Sequence, residues 1–525
     1  MATVMTGYRD VDEASNYPGS SYARALSVRS PSLHEPLEET PPPKGYSRKE
    51  MFVLVVCSCS SMFMHMGLST IPLVLPIEIT RKGVPYEFCG AIFSVFAISI
   101  VILEPFQAKI LPWIGTRNSF VYSALLGGVC YVSFAMIDFA NTVPGFATPA
   151  IIIRFVEGFY YAVLITASNV IVCLTFPDRA SFAFGVLEGF VGAGFTLGPA
   201  LGGVLFKFCG FVAPFLLIGA CLLVTAGLGY CALEQITGLN LAARKKEKKR
   251  LIRDTAFIGC SLLTMAAGIV WGTFETALEP YLATYEKGPL VEGLVFAIAY
   301  LAYGAMAPLW GFIFRKVEMD YRWILVGPLV VALCWMVLGP IPPLSFIGKR
   351  LWLDTVCLFV LNTAIAYIFV FSFDTMLKRA IFCGMEGDVA TYALVVAGFF
   401  SSIYIGEAIG PIIGGYLTAN KSFQAVATVA VFIQFAAFAL GAIIMLIAWN
   451  KIIRRLRRKL HQKFPRWVSP PEDPSVARES GETSPLHSSI ADEEEEYMNI
   501  FQPPTPSRKT GAIRYLPPKS YGSIC

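Results

Sequence analysis

The chain has 525 residues, 55% of them hydrophobic and 15% charged, with a net charge of +5. A soluble domain carries roughly 25% charged residues, so much of this surface must face lipid, and no single basic face offers itself to nucleic acid. The thirteen cysteines are scattered through apolar segments, as at Cys57, Cys130, Cys221 and Cys334, without CxxC or metal-ligand spacing. They read as small apolar side chains, and neither a metal nor a cofactor is expected.

Residues 1–50 are polar and Pro-rich, which predicts a disordered tail with no cleaved signal. Apolar runs then recur at the length of about 20 residues that a bilayer span needs. They fall at 51–76, 88–111, 119–138, 147–173, 181–206 and 211–233. Beyond a linker at 234–254 they resume at 255–283, 291–314, 322–343, 351–376, 389–417 and 424–449. The expected architecture is an all-α membrane protein of 12 transmembrane helices in two six-helix halves, 51–233 and 255–449. Residues 450–525 read as a basic and then disordered tail.

Lysine and arginine set the expected orientation. Loops of one side carry Lys109, Arg117, Arg179, the run from Arg244 to Arg250, Arg315, Lys316, Arg322, Lys378 and Arg379, and the stretch Lys451–Arg466 follows the last span. Opposite loops hold Arg81, Lys82, Lys207, Lys287, Lys349, Arg350 and Lys421. Both termini are therefore expected in the cytoplasm.

The halves repeat. Gly194, Gly198, Pro199, Gly202 and Gly203 of the fifth span have counterparts in Gly406, Gly410, Pro411, Gly414 and Gly415 of the eleventh. Glycines four apart bare one helix face to a close neighbour, and each proline removes a backbone donor. The shared GPxxGG core at equivalent spans reads as a parallel duplication.

Residues 194–203 resemble the span-five motif of the drug-proton antiporter branch of the major facilitator superfamily. Arg154 in "IIIRFVEGFYYA" is similar to that superfamily's span-four arginine motif, with Gly158 in place. "GVLEGFVGAGFTLGPALGG", "VLITAS", "LEPYL", "LGPIP" and the Leu351-Trp352 pair resemble the vesicular amine and polyamine transporters of solute carrier family 18. The resemblance covers roughly 47–450 and implies the major facilitator fold and an amine carrier. Departures accompany it. In the loop after span two Gly115 survives, but Ala108 and Pro112 replace the family's glycine and acid. In the second half Gly311 matches and Arg315 stands at the acid position. Met64 and His65 occupy the region of the first-span aspartate of monoamine carriers.

A charge at mid-bilayer costs about 2.5–3.5 kcal/mol on insertion scales, so such residues usually face a cavity. His65, Glu104, Arg154, Glu157, Glu188, Glu275, Glu279 and Glu407 lie within or at the ends of the spans. If these groups share one cavity, its surplus of carboxylates favours cationic cargo. Arg154 and Glu157 are three apart on one helix face. They form either a pair that breaks when a proton or cation binds, or a permanent structural pair. Glu188 has no local basic partner, which suits it to proton coupling alongside Arg154 and Glu157. Glu279, Glu407, Glu275 and His65 are the substrate-binding candidates, Glu279 through its resemblance to the amine carriers. Glu407 stands where the span-five repeat has Phe195, so duplication did not require it. Glu104 precedes Pro105 and reads as a cap for freed backbone. Tyr160, Tyr161, Tyr281, Tyr300, Tyr303 and Tyr404 offer cation-binding ring faces.

In the tail, Asp492–Glu496 precede Tyr497-Met498-Asn499-Ile500, a pattern resembling a sorting signal read at Tyr497 and Ile500 by an adaptor. Asn420-Lys421-Ser422 is a glycosylation sequon in a short loop. The expected protein is a monomeric proton-coupled antiporter of small cationic metabolites in the lipid bilayer of a secretory, synaptic or endolysosomal vesicle, with the plasma membrane as the alternative. A carrier of amphiphilic drugs or another metabolite, and a non-transporting receptor on the same fold, are the rivals.

Overall fold

A computed structural model describes residues 47–176, 180–237, 245–316, 321–341, 346, 348–385 and 389–463. Those residues form thirteen α-helices: α1 Arg48–Arg81, α2 Glu87–Ile114, α3 Thr116–Met136, α4 Val143–Thr175, α5 Ala180–Cys209, α6 Val212–Ala232, α7 Lys245–Ile252, α8 Thr255–Ala283, α9 Pro289–Lys316, α10 Val326–Leu338, α11 Leu351–Phe382, α12 Val389–Asn420 and α13 Phe423–Lys463. Eleven are long and apolar enough to cross a membrane. The ninth expected span is shorter: a 3-10 turn at Tyr321–Leu325 leads into α10, and this apolar stretch, Arg322–Leu338, ends five residues before the expected 343. Large apolar side chains such as Leu217, Val224, Phe432 and Ile443 point outward, as lipid-facing surfaces require.

The first helix runs past its expected end at 76. Pro72 and Pro76 lie inside it, and the Thr80 hydroxyl donates to the Pro76 carbonyl at 3.0 Å, which ties the turn beyond the proline to the helix. The expected linker contains a helix, α7, whose Leu251 is fully buried while Lys248, Lys249 and Arg250 stay in solvent. Asp254 caps α8 by accepting from the backbone N–H groups of Ala256 and Phe257, both at 3.1 Å, and Arg379 Nε donates to the same carboxylate from α11 at 2.9 Å.

The glycine ladders set the packing. On α5, a side chain at Gly194 or Gly198 would run into the α1 backbone at Met62 or Met66, and one at Gly202 would run into Thr70. On α12, Gly406 and Gly410 meet the α8 backbone at Met265 and Ile269 in the same way, and Gly414 meets Thr276. The next glycine in each ladder turns to a different neighbour: Gly203 faces Pro289 and Gly293 of α9, and Gly415 faces Gly90 of α2. So α5 joins α1 to α9, and α12 joins α8 to α2.

The close approaches of α5 to α9 and of α12 to α2 include a group at one end of the bundle, where α1 gives way to α2. There Tyr86 donates to the Thr276 carbonyl at 2.6 Å, and Asn420 Nδ2 donates to Glu87 at 3.2 Å and to the Tyr416 carbonyl at 3.1 Å. Arg117, α7 and Arg379 mark the other, basic end.

Candidate functional site

Arg154 and Glu157 sit on α4 with side chains 1% and 2% exposed. Arg154 Nη1 donates to Glu157 Oε2 at 2.6 Å, and the Tyr131 hydroxyl of α3 donates to Oε1 at 2.7 Å, so both carboxylate oxygens are engaged. The guanidinium lies over the Phe96 ring at 4.3 Å and is 5.7 Å from the Phe93 ring centre, a cation–π seat on α2. Its Nε has no hydrogen-bond partner among the described residues. Across the bundle, its charge is within electrostatic reach of Glu275 on α8 and Glu407 on α12.

An aromatic group surrounds these acids. Trp271 Nε1 donates to Glu275 at 2.9 Å from one turn earlier on α8. The Tyr300 hydroxyl is fully buried and lies beside Glu275 and Glu407. Phe195 stacks on Tyr300 with centroids 5.5 Å apart and meets Trp271 and Tyr303 edge-on, each at 6.1 Å. Tyr161 and Tyr404 pack edge-to-face at 6.1 Å. Glu407 acts electrostatically on Tyr161, Tyr303 and Tyr404; Glu188 acts on Tyr161 and Tyr303, and Glu104 on Tyr404. Glu188 is exposed, and Gly185 and Gly189 beside it border open space.

His65 is buried against Phe195 and Tyr161, at 4.9 and 5.5 Å between ring centres. A carbonyl can only accept, so Nδ1 carries a proton and donates to Ser61 at 2.7 Å. In the neutral ring, Nε2 then accepts from the Tyr161 hydroxyl at 3.1 Å. The structure therefore brings His65, Arg154, Glu157, Glu188, Glu275 and Glu407 around one set of aromatic rings.

Glu279 stands apart. One turn beyond Glu275, it lies near Glu292 of α9 and near Tyr86 and Cys89 of the α2 start, at the end where the backbones close together. Four acids of that end, Glu78, Asp138, Asp354 and Glu292, escaped the sequence reading. Glu78 is fully buried and accepts from Arg81 at 2.8 Å, while Arg81 also reaches Asp138 at 3.0 Å. Asp354 accepts from the hydroxyls of Tyr281 at 2.7 Å and Tyr285 at 2.5 Å. Glu292 is 5% exposed. Asp354 and Glu292 fall within expected spans, and the i, i+3 spacing of Glu78 and Arg81 was the available signal. Ala108, Arg315, Tyr497 and Ile500 have side chains outside the described residues.

The family model for the Major Facilitator Superfamily matches residues 48–380. The MFS-type transporter SLC18B1 of Rattus norvegicus is 28% identical over 381 residues, 72% of this chain and 83% of that protein. Its Homo sapiens counterpart is 29% identical over 385 residues, 73% of this chain and 83% of that protein. Among solved structures, the nucleoside transporter NupG superposes with a TM-score of 0.59 at 11% identity, over 76% of this chain and 99% of NupG. A bacterial homolog of the human lysosomal transporter Spinster gives 0.57 at 13% identity, over 77% and 96%. Such low identities carry the fold alone. With a family model spanning most of the helical region and a multi-pass bundle of matching fold, the chain belongs to the major facilitator superfamily of membrane transporters.

Proposed function

We propose that this protein is a proton-coupled antiporter of small organic cations, polyamines or related amines, working by alternating access between two six-helix halves, 51–233 and 255–449. One observation carries the reading. Glu275 and Glu407 from the second half approach Arg154 from the first among Trp271, Tyr300 and Tyr303. Arg154 is already held by Glu157, so two carboxylates remain for a guest cation, and the rings supply π-faces for its alkyl and ammonium groups. Glu188 lies toward the basic end beside open space, a position suited to exchanging protons with that side.

The lysine and arginine pattern supports cytoplasmic termini. In this reading the carrier acts as a monomer in a vesicle membrane, and the Tyr497–Ile500 segment that follows the acids Asp492–Glu496 binds a sorting adaptor. Close backbone packing at the α1–α2 end supports a state closed to the lumen. In the cycle, protons bind luminal-facing carboxylates and leave to the cytoplasm as cation moves into the vesicle. Each proton moving through 100 mV contributes about 2.3 kcal/mol.

The test is uptake into proteoliposomes driven by a pH gradient, comparing wild type with Glu188→Gln and Glu407→Gln. Both substitutions should depress uptake, Glu188→Gln by uncoupling it from the gradient. Equal uptake by all three proteins sinks the assignment. The density of rings around Phe195 favours a second reading, amphiphilic drugs as cargo. Counterflow with spermine, serotonin and a neutral solute separates the two.

A further inference from the structure

Glu104 lies on α2 immediately before Pro105, the position of a side chain expected to cap freed backbone. Its carboxylate has another partner: Gln107 Nε2 donates to Oε2 at 2.9 Å. Gln107 is itself 7% exposed, and its carbonyl oxygen accepts from the Thr166 hydroxyl of α4, which is shared with the Ala162 carbonyl at 2.9 Å. A carboxylate needed only for local backbone requires no such chain of side chains from a second helix, because ordering each of them costs entropy. No hydrogen bond among the described residues engages the other oxygen, and the charge acts on the Tyr404 hydroxyl of α12.

Tyr404 is also under the influence of Glu407, and Tyr161 packs on its edge at 6.1 Å. Glu104 is 10 residues from the α2 end at Ile114, and Glu407 is 18 residues from the α12 start at Val389, both counted from the basic end. At 1.5 Å per residue these depths are about 15 and about 27 Å, a separation of about 12 Å along the bundle with the tyrosines between. A monoamine can satisfy one of these carboxylates. A linear polyamine can satisfy both while its alkyl chain crosses the rings.

We propose that Glu104 is a specificity-determining residue, an outer carboxylate that makes the carrier prefer linear polyamines over monoamines. The inference rests on the cation-carrier reading above and adds the residue that counts the charges of the cargo. Gln107 and Thr166 are positioning residues: they aim the carboxylate into the path.

The experiment measures KM and kcat for spermine and for n-butylamine with the full chain in proteoliposomes. Glu104→Gln should raise the spermine KM about tenfold more than the butylamine KM, the scale of one charge-assisted contact, with little change in kcat. Glu104→Asp should restore most of the preference. Thr166→Val, which releases Gln107 and leaves the acid in place, should shift the ratio in the same direction by less. Equal shifts for both amines, or no shift in either, overturn the proposal, and so does a preference that Glu104→Asp fails to restore. A wild type that carries neither amine removes the cation-carrier reading itself, and this is seen before any substitution is made.

Discussion

The helices α5 and α12 carry the same glycine ladder and differ at the residue that follows its first rung. On α5 that residue is Phe195, whose ring closes on His65, Tyr300 and Trp271. On α12 it is Glu407, a half-buried carboxylate with no hydrogen-bond donor among the described residues, facing Arg154 and Glu275. A hydroxyl from the neighbouring helix reaches each ladder, at different rungs: Ser69 of α1 donates to the Gly194 carbonyl at 3.4 Å, and Thr273 of α8 to the Gly410 carbonyl at 3.1 Å. The shared ladder is architecture, because backbone approach tolerates no side chain. The differing residue is free of that constraint and can be given to a guest. A similar contrast separates Glu157, with both oxygens engaged inside its own half, from Glu407, with neither.

The contrast can be broken first at the acid. Glu407→Gln should lower cation uptake by about two orders of magnitude, as expected when one member of a buried charge contact is removed. Its purified protein should melt close to wild type; a large loss of stability with uptake intact would show Glu407 to be structural. Glu157→Gln should do the reverse. It leaves Arg154 without its counter-ion, at a cost of about 3–5 kcal/mol in stability, and Tyr131→Phe should cost roughly 1.5–3 kcal/mol through the same carboxylate. Detergent melting curves measure both, and unchanged melting would mark the pair as a switch and not a strut.

The ladder makes a smaller prediction. Gly198→Ala and Gly410→Ala should each destabilise by about 1–3 kcal/mol, because the added methyl meets neighbouring backbone. Gly185→Ala, with open space around it, should be neutral or stabilising by up to about 1 kcal/mol. Equal effects at all three positions would dissolve the distinction between ladder and non-ladder glycines. The smallest effect lies outside the bilayer region. The hydrogen bond from Lys49 to Glu234, 2.6 Å long, holds that carboxyl below its usual range. Its folded-state value is depressed, so the stabilisation is present at neutral pH and fades as pH falls through the carboxylate range. Both side chains are exposed, so the melting difference between wild type and Lys49→Ala should be close to measurement error at neutral pH and vanish in acid.

The sequence by itself determined the approximate limits of most of the long helices, the duplicated glycine ladder and the presence of acids in apolar surroundings. These properties are local: a run of about 20 apolar residues or a four-residue glycine period is written in consecutive positions. It misjudged the end of α1, because the prolines at 72 and 76 are absorbed within the helix, and the length of α10. Only the tertiary structure decided which acids share a neighbourhood. Glu275 and Glu279 are one turn apart, yet the first joins Trp271, Arg154 and Glu407 while the second joins Glu292 and Tyr86 at the closed end. Glu104 reads as a backbone cap until Gln107 and Thr166 bring a second helix to it. A carboxylate's surroundings come from helices remote in the chain, and spacing along one helix carries no record of them.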